Sequence, residues 1–107
     1  MKIPKNPRIS GITWTVLMSP AVDKVLDADN RLGLAVFSTS EIYLKKEGRT
    51  WEAIWETFWH ECAHIIFHNT GITHTILTED GLEEGVVEAA GNGVWQILRD
   101  NGIIEEE

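Results

Sequence analysis

The chain has 107 residues, and its 43% apolar content argues against disorder and fits one small domain. Its formal net charge of −8 argues against nucleic acids and anionic membranes as partners, because phosphate-rich surfaces attract the opposite charge. The single cysteine, Cys62, excludes an internal disulfide, so we expect a reducing, cytoplasmic environment. The first residues lack the sustained apolar run of a secretion signal, and no segment approaches the ~18 apolar residues that span a bilayer.

Short strands are predicted in the first half of the chain. Residues 8–17 fit a tight hairpin around Ser10-Gly11, or a single first strand. Pro20 then opens a short helical turn, which Asp29 and Asn30 close. Residues 33–37 and 41–45 predict two further strands, and the lysines of the second suit an edge strand.

Two long helices are predicted in the second half. The first covers about residues 50–68, and the second covers about 81–100 with Glu83 as part of its N-terminal cap. Strands followed by two helices indicate the α+β class, with a small sheet of three or four strands packed on both helices. Residues 102–107 end in three glutamates and should fray as a solvated tail. We expect residues 1–107 to form a single domain.

The first long helix carries two different arcs of side chains. One arc is apolar and predicts core packing; it includes Trp51, Trp55, Trp59 and Cys62. The other arc holds His60 and His64, which face the same way one turn apart and can bind one cation. Glu61 is offset to the side, where it can act as a general base. The alternative is that these are two ordinary, partly exposed helix histidines. A third ligand nearby would favour the metal site.

The second long helix offers candidates for that third ligand. Glu84 and Glu88 share one face, which Gly91 and Trp95 extend. The small residues of this helix permit a close approach to a neighbouring helix. Its buried side is predicted to include Val86, Val87, Ala90 and Val94.

The sequence His60-Glu61-Cys62-Ala63-His64, with nineteen residues between His64 and Glu84, resembles the gluzincin metallopeptidases. The compact layout over residues 9–101 resembles minigluzincins and the small metallopeptidase-like proteins of bacteriophages, and more distantly the ImmA/IrrE type. The resemblance implies a minimal zincin-like fold in a bacterial or phage-infected cytoplasm. It also implies one Zn²⁺ per chain, bound by His60, His64 and Glu84, with Glu61 as the general base.

The same resemblance implies a supporting carboxylate and a reaction. In gluzincins an acidic residue four places after the ligand glutamate supports a ligand histidine, and Glu88 occupies that position; an ordinary surface carboxylate is the alternative. The implied activity is hydrolysis of a peptide bond in a peptide or protein substrate. We expect the substrate to pair with the strand at residues 41–45.

One departure from the large gluzincins leaves the function open. They carry a C-terminal lobe that supplies a donor to the developing oxyanion, whereas this chain offers only His68, His74 and Tyr43, each of which also has an ordinary structural interpretation. Two hypotheses follow: an endopeptidase-like zinc hydrolase, or a metal-stabilised binding or regulatory protein with little hydrolytic activity. An iron site with the same ligand types is disfavoured by the spacing of the motif.

Overall fold

The computed structural model describes residues 3–69 and 82–100, without the side chains of residues 92 and 96–100. This part of the chain forms small mixed sheets and three helices, which confirms the predicted α+β class. None of the described helices is long and apolar enough to cross a membrane. The acidic tail predicted at residues 102–107 lies outside the described residues. The elements are β1 (Arg8–Ile9), β2 (Ile12–Thr13), β3 (Thr15–Leu17), α1 (Pro20–Ala28), β4 (Gly33–Val36), β5 (Glu41–Leu44), α2 (Trp51–Asn69) and α3 (Leu82–Asp100).

A tight hairpin joins β1 and β2, as predicted from residues 8–17. Ser10 and Gly11 at its turn have φ angles of 51° and 82°. Positive values at both central residues are typical of the two-residue turns that match the twist of antiparallel strands. The hairpin leads into Trp14, which is buried in the core and lies just before β3.

The second sheet has three strands in the order β3-β5-β4, with β3 parallel and β4 antiparallel to β5. The prediction that residues 41–45 form the edge strand nearest the metal ligands is therefore wrong. Ile42 and Leu44 of β5 are fully buried and the strand contacts α2, so it takes the central position. The lysines that suggested an edge, Lys45 and Lys46, follow the strand instead of interrupting it. The edge strand beside the metal ligands is β4.

Helix α1 begins at Pro20 and ends just before Asp29, the residues predicted to open and close this helical segment. The Oγ of Ser19 accepts a backbone N–H of the first turn at 3.2 Å, and Pro20 begins the helix. The carboxylate of buried Asp23 accepts the N–H groups of Lys46 and Glu47 at 2.9 and 3.2 Å. These bonds fix α1 to the segment that leads into α2.

Helix α2 begins and ends within one residue of its predicted bounds. The Oγ1 of Thr50 accepts the N–H of Ala53 at 3.1 Å and so caps the helix. The indole rings of Trp55 and Trp95 stack with their centroids 6.2 Å apart. Burial raises the pKa of the Cys62 thiol to about 12, so this cysteine is an inert core residue, as predicted. The buried apolar face consists of Ile54, Trp55, Phe58, Cys62 and Ile65.

Helix α3 packs closely against α2 at Gly91. A Cβ atom at this position would lie 3.3 Å from the Cα and 3.4 Å from the N of His60. Val87 and Trp95, one turn away on either side, are buried. The buried face is therefore rotated from the predicted one. Three residues that were predicted as buried are exposed: Val86, Ala90 and Val94.

Two glycine substitutions test this helix contact. No atom lies within 4 Å of a Cβ built at Gly93, so Gly93→Ala should stabilise the protein by about 1 kcal/mol through helix propensity. In Gly91→Ala the same gain should be offset by overpacking, typically about 1–3 kcal/mol. Urea unfolding should therefore give Gly91→Ala the lower midpoint of the two. Equal midpoints would show that the helices do not press together at Gly91.

Candidate metal centre

Two histidines of α2 bring their Nε2 atoms together. These atoms of His60 and His64 are 3.2 Å apart, with ring centroids 4.9 Å apart. Burial lowers the pKa of His60 below its usual value, against the opposing charges of Glu84 and Glu88. The neutral imidazole, which is the form that binds a metal, is therefore favoured.

Helix α3 adds a carboxylate to this pair. Glu84 Oε1 lies 2.7 Å from Nε2 of His64, and Oε2 lies 3.4 Å from Nε2 of His60. One ligand atom from each of the three residues lies within 4.8 Å of the others. The structure thus brings the predicted ligand set together, and the cluster could hold a metal ion. Glu84 reaches it because it lies about two helical turns before the close contact at Gly91.

Two of the three donor contacts have the spacing expected around a tetrahedral ion. Ligands that lie about 2.0–2.1 Å from a four-coordinate zinc are about 3.3 Å from one another. The Nε2 atoms of the histidines are 3.2 Å apart, and Oε2 of Glu84 lies 3.4 Å from Nε2 of His60. Oε1 of Glu84 lies only 2.7 Å from Nε2 of His64, so this oxygen would have to move outward to share an ion with that imidazole. Two imidazoles and one carboxylate are also the donor set of some catalytic zinc sites, in which the fourth coordination position is left free.

A second carboxylate of α3 supports one of the histidines. Glu83 Oε2 lies 3.0 Å from Nδ1 of His64. When Nδ1–H donates to this carboxylate, Nε2 keeps its lone pair for a metal. The residue predicted for this role is Glu88, with Glu83 predicted as a cap residue. Glu88 lines the cleft beside the cluster and acts on His60 through its charge, and its supporting role stays a prediction.

Glu61 is held apart from the ligand cluster, underneath β4. Its side chain is 7% exposed, and a Cβ at Gly33 would lie 3.2 Å from its Oε2. Burial raises the pKa of Glu61 to about 7, although His64, Arg31 and the N–H of Ala35 act in the opposite direction. A carboxyl that titrates near neutrality is suited to take and return a proton.

Two clefts meet at the cluster, one of about 480 Å³ and one of about 180 Å³. Both are lined by Glu61, His64 and Glu84, so the proposed base and two ligands lie where the clefts join. Arg31 also lines both clefts, and the sequence analysis missed it. Arg31 lies just before β4 in the sequence, so its place in the clefts could be predicted only once β4 was known to be the edge strand.

The three predicted oxyanion donors have different outcomes. His68 lines the smaller cleft, where its ring centroid lies 4.3 Å from that of Phe37. Tyr43 lies on the central strand β5 and lines neither of the two clefts. His74 lies outside the described residues. A donor role stays a prediction for His68, and the position of Tyr43 gives it no support.

Comparisons with protein-family models, with curated proteins and with solved structures find no significant match to this chain. The resemblance to gluzincins therefore rests on the motif residues and their spacing. The function has to be inferred from the chemistry of the site itself.

A pair of alanine substitutions separates the two candidate supporting carboxylates. Loss of a carboxylate that orients a metal-binding imidazole typically costs 10–100-fold in metal affinity. Because Glu83 contacts His64 directly, Glu83→Ala should weaken zinc binding by at least about 10-fold. Glu88→Ala should have a smaller effect, and competitive zinc titration measures both. A larger loss for Glu88→Ala would return the supporting role to that residue.

The buried carboxyl of Glu61 should make the stability of the metal-free protein depend on pH. Its folded pKa of about 7 exceeds the unfolded value, so its contribution is complete below about pH 4.5 and is lost as the pH rises through 7. Glu61→Gln does not titrate. The unfolding free energy of Glu61→Gln should therefore rise relative to that of the parent, by up to about 3 kcal/mol between about pH 4.5 and 7. A difference that does not change with pH in urea titrations would contradict the raised pKa.

Proposed function

We propose that this protein is a zinc-dependent peptide hydrolase. The observation that carries the proposal is that three ligand residues converge while Glu61 is buried beside them without joining the cluster. Burying a carboxyl group costs free energy, and a metal that only stabilised the fold would not require it. The free fourth coordination position and the resemblance to gluzincins support the same function.

The residues of the site divide the chemistry between them. A zinc ion bound by His60, His64 and Glu84 would supply a Lewis acid that polarises the scissile carbonyl and lowers the pKa of a water molecule. The carboxylate of Glu61 accepts the proton of the attacking water. The same carboxyl group then donates this proton to the nitrogen of the leaving amine. The N–H of Ala35 favours the charged form of Glu61 that begins the cycle.

The outer edge of β4 is the surface on which we expect the peptide to bind. Among the described residues this strand pairs with β5 on one side only, and it passes directly beside Glu61 at Gly33. An extended peptide can add to such an edge through main-chain hydrogen bonds. The strand first considered for this role, β5, has both of its edges occupied by β3 and β4.

Two substitutions test the hydrolase against the alternative of a binding or regulatory protein. His60→Ala should abolish stoichiometric zinc binding, whereas Glu61→Gln should keep both the zinc and the fold. Glu61→Gln should nevertheless reduce turnover by orders of magnitude, because both proton transfers pass through that carboxylate. Metal analysis and mass spectrometry of a peptide library incubated with each zinc-loaded variant provide the readouts.

Either of two results would reject this function. Cleavage by Glu61→Gln at the parent rate would exclude Glu61 as the base. A zinc-loaded parent that cleaves no peptide and no protein target would favour the binding protein, in which Glu61→Gln leaves the biological effect unchanged.

A further inference from the structure

The larger cleft contains two arginines that the hydrolysis itself does not use, Arg31 and Arg49. The chain has 17 acidic residues and only 9 lysines and arginines. Even so, neither guanidinium has a carboxylate oxygen within 4.0 Å among the residues that the structure describes. The charge of Glu56 acts on Arg49, and the charge of Arg31 acts on buried Glu61, but neither arginine makes a direct ion pair among the described residues. Both are therefore available to an anionic group of a ligand.

Arg49 is held in place by neutral acceptors. One terminal nitrogen donates to the carbonyl oxygen of Lys45 at 3.1 Å, and the other donates to the carbonyl oxygen of Ala53 at 2.9 Å and to Oγ1 of Thr57 at 2.7 Å. These bonds fix the plane of the guanidinium without neutralising its charge. A guanidinium oriented in advance loses less entropy when it binds a carboxylate.

Arg31 complements this fixed group. It is exposed, it lies just before β4, and its side chain makes no hydrogen bond within residues 3–69 and 82–100. It can therefore turn towards a ligand that Arg49 already holds. Glu56, whose charge also acts on Arg49, and Glu88 line the same cleft, so an acidic group that makes no direct contact with an arginine would be repelled there.

We propose that Arg31 and Arg49 together bind one carboxylate of the peptide substrate in the larger cleft. Arg31 can bind a carboxylate through paired, charge-assisted hydrogen bonds. One terminal nitrogen of Arg49 already donates both of its hydrogens, to Ala53 and Thr57, so Arg49 contributes its fixed charge and single hydrogen bonds. The carboxylate comes either from an acidic side chain or from the C-terminus of the peptide. This inference rests on the proposed function for the identity of the ligand, but the binding preference can be measured without any turnover.

Peptide hydroxamates are suitable probes, because the hydroxamate binds the metal and the peptide extends into the cleft. The set carries Glu or Gln at each position in turn, with either a free or an amidated C-terminus. Isothermal titration of the zinc-loaded full chain gives the dissociation constants. A carboxylate in the right position should tighten binding by at least about 10-fold, and high salt should reduce this gain.

Three variants assign the preference to the two arginines. Arg31→Gln removes one charge and its paired donors, and Arg49→Lys keeps a charge but removes the guanidinium that the bonds to the protein orient. Each should reduce the carboxylate preference by about 10-fold. Arg8→Gln is the matched control, because Arg8 is an exposed arginine of β1 that lines neither cleft. It should keep the full preference. If circular dichroism shows that Arg49→Lys is unfolded, Arg31→Gln decides alone.

The outcomes also separate the two sources of the carboxylate. A preference for Glu over Gln identifies an acidic side chain, and a preference for the free over the amidated C-terminus identifies the end of the peptide. Equal binding of all probes to the parent would overturn the proposal, as would a preference that persists in Arg31→Gln or is lost equally in Arg8→Gln. Failure of the hydrolase proposal would look different, because the preference would remain while no peptide is cleaved.

Discussion

The close contact between Gly91 of α3 and the backbone of His60 is the constraint on which the metal cluster depends. With only a hydrogen atom at this position, the two helices approach until a Cβ would be 3.3 Å from His60 Cα. Buried Val87 and Trp95 stabilise the contact on either side of it. The approach places Glu84 within reach of both imidazoles. A side chain at Gly91 would press on the backbone of His60 and shift the two helices by a few tenths of an ångström, although no ligand had changed.

A second close approach positions the proposed base. A Cβ at Gly33 would lie only 2.6 Å from Cγ2 of Thr57 and 3.2 Å from Oε2 of Glu61. Since real Cβ atoms do not come this close, β4 can cover Glu61 only with glycine at this point. The ligand cluster and the buried carboxyl therefore depend on different neighbours of α2: the cluster on α3, and the carboxyl on the edge strand.

Much of the site could be predicted from the sequence because its chemistry is local. His60 and His64 share a helix face whatever surrounds them, and the cap at Thr50 fixes where that helix begins. Strand order could not be predicted, since the alternation in residues 41–45 fits a central strand as well as an edge strand. The rotation of α3 depended on the contact at Gly91, which the apolar pattern of valines does not reveal. The support from Glu83 and the position of Arg31 are likewise tertiary contacts.

X-ray absorption at the zinc edge tests the central claim most directly, because it reports the ligands of the bound metal. The structure predicts one zinc per chain with two imidazole nitrogens at about 2.0–2.1 Å, completed by oxygen ligands, and His64→Ala, like His60→Ala, should fail to retain stoichiometric zinc. A sulfur ligand at about 2.3 Å would implicate Cys62, and a shell of oxygen atoms alone would indicate surface carboxylates. Either result would contradict a centre built from His60, His64 and Glu84.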